Sequence, residues 1–184
     1  MTIPFDAARH LKKDSSEVAQ FEGILQRLHQ KIRHDQVVQT TADGVRNSLR
    51  VDRVVLYYFY REWEGQVTFE SLSDEKYSIF GSTGPDQCFN GEYAQLYLEG
   101  RASAIADIET ADIAPCHRDF LRHISVRANL VVPILINKNS ETTLWGLLVA
   151  HHCQSERAWP AADIEQMRAG AVTLATAAAI KTSV

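Results

Sequence analysis

The chain opens with a polar stretch, residues 1–13, and then its apolar positions fall into step. Val18, Phe21, Leu25, Leu28 and Ile32 recur at intervals of three and four, the spacing of one helix face. Asp14 with Glu17 has the form of a capping pair, so this helix is predicted to begin there. Val38, Thr41, Val45 and Leu49 repeat the pattern more weakly. The period then changes. Residues 54–60 are β-branched and aromatic and predict a buried strand. Residues 62–65 have turn composition, and 67–72 return as a second strand.

Residues 73–89 are rich in Ser, Gly, Asp and Pro, and predict a long loop. A structureless loop of that length inside a compact domain is usually functional. Residues 92–99 predict a helix stopped by Gly100. A short apolar strand over 102–106 and a polar connection over 107–112 follow, then a helix over 114–125. Residues 130–136 and 144–152 read as strands joined by a turn, with Pro133 marking an edge or a bulge. Pro160 opens a last helix with the stripe Ile164, Met167, Ala171, Leu174 and Ala178. This order predicts an α+β fold, an antiparallel sheet with helices on one face and an elaborated loop region on the other. The expected organisation is an N-terminal arm, 1–13, and a single domain, 14–184. The terminal helices would pack on the sheet, on each other, or on neighbouring domains of a longer protein.

Composition changes this picture little. At 184 residues the chain can bury one sizeable core, and 45% hydrophobic with 23% charged residues is globular. A net charge of −4 with interspersed signs gives no footprint for nucleic acid or an anionic membrane. No apolar run reaches spanning length and no leader pattern opens the chain, so a cytoplasmic location is expected.

The cysteines change it most. Cys88, Cys116 and Cys153 are too few for a disulfide framework, and in a reducing compartment all three are expected as free thiols. Cys153 reads as an inert, buried hydrophobe. Cys116 sits in the first turn of its predicted helix beside His117, where the helix dipole and a protonated imidazole would favour thiolate. Cys88 lies two residues after Asp86 on the long loop; a nearby carboxylate would raise its pKa and make it a reversible nucleophile. A metal site could draw on Cys88, Cys116, His117, His151 and Cys153. Adjacent strand residues diverge, however, and no metal-ligand spacing is present. A cysteine hydrolase is disfavoured because Cys116 and His117 point about 100° apart around a helix.

Several segments together carry a resemblance. They are Ser78-Ile79-Phe80-Gly81, Asp86-Gln87-Cys88-Phe89, Tyr97-Leu98-Glu99-Gly100-Arg101, Cys116-His117, residues 126–134 from Val-Arg-Ala-Asn to Pro-Ile, and residues 144–151 from Leu-Trp-Gly to Ala-His. In this order and spacing the chain closely resembles the cyanobacteriochrome GAF domains, photosensory modules of the phytochrome superfamily. Asp86-Gln87-Cys88-Phe89 looks like the Asp-Xaa-Cys-Phe signature of the dual-cysteine subclass.

The resemblance implies a GAF fold with a ligand pocket on the loop face. It also implies a covalently bound linear tetrapyrrole, phycocyanobilin or phycoviolobilin. Cys116 would carry the permanent thioether, and Asp86 would accept from the pyrrole N–H groups. His117 would lie along the ring plane. Arg118 and Arg101 would receive the propionates. Tyr97 and His151 would confine the ring that isomerises. Cys88 would add reversibly, giving a blue- or violet-absorbing 15Z state and, on release, a green- to orange-absorbing 15E state. No catalytic turnover is implied. The implied partners are the bilin, an output domain (histidine kinase, cyclase or chemotaxis type) outside this chain, and a second copy through the terminal helices. One departure is His151-His152-Cys153 where relatives usually carry His-Gln-Cys, with His152 expected to face away from the pocket. Two other readings stay open: a GAF domain binding a small molecule such as a cyclic nucleotide without a covalent link, and a thiol or metal redox sensor.

Overall fold

The computed structural model describes residues 7–61, 64–84, 91–138 and 140–183. Two helices come first, α1 (Ala7–His34) and α2 (Gln36–Leu49). Helix α1 therefore starts inside the stretch expected as an arm, and Asp14 and Glu17 fall within it rather than at its cap. Its apolar stripe is used as the spacing predicts, since Leu25, Leu28 and Ile32 are all buried. Asp35 separates the helices and is a fully employed cap. One carboxylate oxygen accepts from Val37 N and Val38 N, and the other accepts from Ala179 N near the C-terminus.

Five strands follow: β1 (Arg53–Arg61), β2 (Glu64–Leu72), β3 (Ser103–Ile105), β4 (Ala128–Lys138) and β5 (Glu141–His152). They form one antiparallel sheet in the order β2-β1-β5-β4-β3. Of the expected turn at 62–65, residues 62 and 63 lie outside the described residues. Pro133 sits where its chemistry allows. Strand β3 pairs only with residues 129–131 of β4, so Pro133 is past the end of that partner and next to a bulge at Ile134/Leu135.

Strand alternation divides the sheet into two faces. Val54, Leu56, Leu130, Val132, Leu148 and Ala150 point to α2 and α5 (Ala161–Leu174) and form the main core. Gly170 lets α5 come close, because a Cβ there would lie 2.9 Å from Val45. The last helix is not continuous as the stripe predicts. It ends at Leu174, turns through an extended Ala177, and resumes as the short α6 (Ala178–Lys181). Asp35 captures the first turn of α6, which explains the break: it brings Ala179 and Ile180 into the core.

The other face carries Val55, Val67, Val131, Leu147 and Val149. Helices α3 (Gly91–Leu98) and α4 (Pro115–His123) cover it with the intervening loops. Part of the long loop is pinned rather than structureless. Glu70 accepts from Ile79 N at 2.6 Å and from Ser78 Oγ at 2.7 Å, and Val67 N donates to Ser82 O. Among the described residues no helix is long and apolar enough to cross a membrane.

Candidate functional site

Between the second sheet face and its cover lies a cavity of about 80 Å³. Val55, Val131, Leu147 and Val149 form its floor, while Ile79, Tyr97, His117 and Phe120 stand around it. It adjoins an open hollow of about 410 Å³ lined by Arg101, Ser103, Asp112 and Ala114. Tyr97, Ser103 and His117 line both, so the two spaces meet at these side chains. The inner cavity alone is smaller than ordinary ligand sites, whereas the hollow is within their range.

Helix α4 supplies the rim. Pro115 is its first residue, and the cap residue Ala114 makes no side-chain cap hydrogen bond to the first turn, which carries Cys116 and His117. Cys116 is exposed there. It is disulfide-bonded, while Cys153 is free. The expectation of three free thiols is thereby corrected. Three cysteines make no framework, but one bond needs only two sulfurs brought together by the fold. His117 is also corrected. Burial lowers its pKa, so it is held neutral at pH 7 rather than as the imidazolium that would assist a thiolate.

Arg118 does not face either space. Its Nε donates to Ile108 O at 2.8 Å and its Nη2 to Ala111 O at 2.6 Å, which ties α4 to the preceding loop. That use displaces it from the expected role at the ligand's acidic groups. Arg101 keeps such a position, exposed on the wall of the hollow. Tyr97, on α3, is buried between the two spaces. Asp86 and Cys88 lie outside the described residues.

The inner end is built from the sheet. His151 is 4% exposed and lines the cavity, and its Nδ1 accepts from Arg53 Nε at 2.8 Å. Arginine only donates, so this bond assigns the ring proton to Nε2. Burial and the Arg53 charge hold the His151 pKa well below its ordinary value, so the ring is neutral. The buried guanidinium also donates to Tyr77 O and Ile124 O, both at 2.7 Å. Asn129 pairs directly with His151 across β4 and β5 and lines the same cavity. His152 turns away, with Nδ1 2.9 Å from Ser155 O. Burial, with Asp52 nearby, pushes the Cys153 thiol up to about 11 against the opposing charge of Arg53, which makes it inert.

Arg53 and Asn129 are absent from the expected site. Their signal is strand alternation: each is a polar residue in phase with the apolar residues of one sheet face. Asn129 shares its phase with Val131, and Arg53 with Val55.

Residues 33–178 match the family model described as GAF domain. An uncharacterised protein of a Picosynechococcus strain is 54% identical over 152 residues, which span 83% of this chain and 91% of that protein. A Synechocystis protein named for methyl-accepting chemotaxis is 37% identical, with the match spanning 85% of this chain but 16% of that protein. Among solved structures, the blue-light absorbing form of the Thermosynechococcus elongatus PixJ GAF domain is 31% identical with a TM-score of 0.67. The match covers 83% of this chain and 87% of that one. The phycocyanobilin-bound GAF domain of a cyanobacterial phytochrome is 28% identical with a TM-score of 0.66, covering 88% and 94%.

Proposed function

The chain belongs to the GAF family, in the branch of cyanobacteriochromes and phytochromes, and on that premise we propose that it is a light-sensing domain holding a linear tetrapyrrole through Cys116. One observation carries the reading: Cys116 stands in the first turn of α4 between Ala114 and His117, which line a two-part space whose inner end is lined by neutral His151 and by Asn129. The donor and acceptor set fits such a ligand. Asn129 Oδ1 is buried without a partner at the inner end, and Arg101 stands at the open end where propionates would meet solvent. When bound, phycocyanobilin or its isomer phycoviolobilin supplies a conjugated chain that absorbs visible light and isomerises at one double bond.

The protein's own groups do the rest. The Cys116 sulfur must be a thiol before it can add, so its disulfide is first reduced by a cellular dithiol, which is itself oxidised to a disulfide and leaves both protein sulfurs as thiols. The sulfur would then add across a carbon–carbon double bond of the ligand, with the thiol proton passing to the neighbouring carbon. His117, neutral and beside the shared opening, packs along the ligand plane; Tyr97 and His151 confine its inner end. Asp86 serves as the carboxylate acceptor. Cys88 forms the second, reversible thioether, closed in a blue- or violet-absorbing 15Z state and open in a green- to orange-absorbing 15E state. The domain signals without turnover to an output unit of kinase, cyclase or chemotaxis type in the same cytoplasmic protein. Exposed Ile24 on α1 and Val172 on α5 support pairing through the terminal helices.

Co-expression with phycocyanobilin synthesis under reducing conditions tests this. The wild type is expected to be coloured after acid denaturation and Cys116→Ala to lose that colour. Full retention in Cys116→Ala overturns the attachment. Cys88→Ala is expected to move the dark band to longer wavelength, and an unchanged blue band overturns the second adduct.

A further inference from the structure

Tyr57 stands on the cavity side of β1 and its ring lines the inner space, but its hydroxyl is turned to the backbone. It donates its one proton to Gly65 O at 2.7 Å and accepts from Gly84 N at 2.8 Å. Gly65 lies near the start of β2, and Gly84 ends a short strap laid along the outer edge of that strand. Within the strap Gly81 N donates to Val67 O, Val67 N donates to Ser82 O, and Thr83 bridges Gln66. A side chain at the strap's end would crowd this approach, since a Cβ on Gly84 would lie 2.9 Å from the Tyr57 hydroxyl oxygen. Asp86 and Cys88 follow Gly84 by two and four residues. Four residues of chain reach at most about 14 Å, so the point where Gly84 is held limits where a thiol so close in sequence can act.

We propose that Tyr57 is a positioning residue for the second, reversible thioether. Its hydroxyl fixes the strap from which Cys88 extends, and so raises the effective concentration of that thiol at the ligand. This rests on the tetrapyrrole reading above. It goes beyond that reading by naming a group, bonded to backbone rather than to ligand, that sets how far the second adduct forms. On closure the Cys88 sulfur bonds to a ligand carbon, one π bond of the conjugated chain is lost, and the thiol proton passes to the ligand. Opening reverses both transfers, so neither an oxidant nor a reductant is consumed. Such an equilibrium depends on where the thiol is held. The Cys116 bond is made from α4 and does not draw on the strap.

The experiment compares the full chain with Tyr57→Phe, each loaded with phycocyanobilin under reducing conditions and kept in the dark. The quantity read is the ratio of blue to long-wavelength absorbance. Phenylalanine keeps the ring in the cavity wall and removes only the hydroxyl. The ratio is expected to fall roughly three- to tenfold, the change that one hydrogen bond allows, with denaturation-resistant pigment at Cys116 undiminished. An unchanged ratio overturns the role of Tyr57. The same substitution in a Cys88→Ala background is expected to leave the spectrum as it is. A band shift there makes Tyr57 a ligand contact and overturns the positioning role. Gly84→Ala, which crowds the hydroxyl while leaving Tyr57 in place, stands in if the phenylalanine variant does not fold, with the same criterion. A wild type without pigment overturns the tetrapyrrole reading, and one with pigment but no blue dark band overturns the second adduct. Both failures are told apart because they appear before any variant is made.

Discussion

Leu148 and Val149 are adjacent on β5, yet one is sealed beneath helices and the other floors the cavity. The same division runs along β1 and β4. On the helix side the buried residues are apolar except for Ser71, which is hydrogen-bonded to Arg46 and Asp43 of α2, and both carboxylate oxygens of Asp35 accept from backbone amides. On the cavity side the same strands bury Arg53, Asn129 and His151, and leave an acceptor unpaired. A side built for stability saturates its polar groups. A side built for a ligand keeps some in reserve.

The contrast can be broken by changing neighbours. Leu148→Ala is expected to cost about 2–5 kcal/mol in urea unfolding, because its surroundings are close-packed, and to leave pigment absorption in place. Val149→Ala, beside an existing cavity, is expected to cost only ~1–2 kcal/mol and to shift the absorption band. Equal costs, or a band shift confined to Leu148→Ala, would erase the distinction between the faces. Asp35→Ala is expected to lose ~1 kcal/mol with no spectral change, by uncapping α2 and releasing α6.

The smallest signal is acid sensitivity of the cavity side. Burial lowers the pKa of His117 and of His151 in the folded protein, while in the unfolded chain both return to about 6.5. Below that pH the unfolded state binds more protons, so stability is full above about pH 7 and declines as the pH falls from there towards the folded pKa values. The thermal midpoint of the apoprotein is expected to fall over that window, and less steeply in His117→Gln. A flat profile in the wild type would place these rings in solvent.

Much of this was legible in the residue pattern. The strands announced themselves through β-branched runs, Pro133 through its missing N–H, and the stripe Leu25, Leu28, Ile32 through its period. Other features depend on contacts remote in sequence, which no local pattern encodes. The start of α1 at Ala7 runs ahead of its capping signal. The break between α5 and α6 is decided by Asp35, 144 residues from Ala179. Arg118 looked available for an anionic ligand, but two loop carbonyls employ it. Arg53 and Asn129 were hidden for a different reason. Inside an apolar run a polar residue reads as an exception, and only the register that sets Arg53 and Asn129 against His151 turns exceptions into a constellation.

Arg53 is also a junction. Its three hydrogen bonds reach His151 on β5, Tyr77 at the base of the long loop, and Ile124 at the C-cap of α4, whose other end carries Cys116. The deepest point of the pocket and the helix that carries Cys116 thus hang from one planar, rigid cation. A displacement of His151 would reach both the loop and the helix through that one guanidinium, because its three hydrogen bonds share a single rigid plane. The closed end and the helix at the rim are thereby joined through a single side chain.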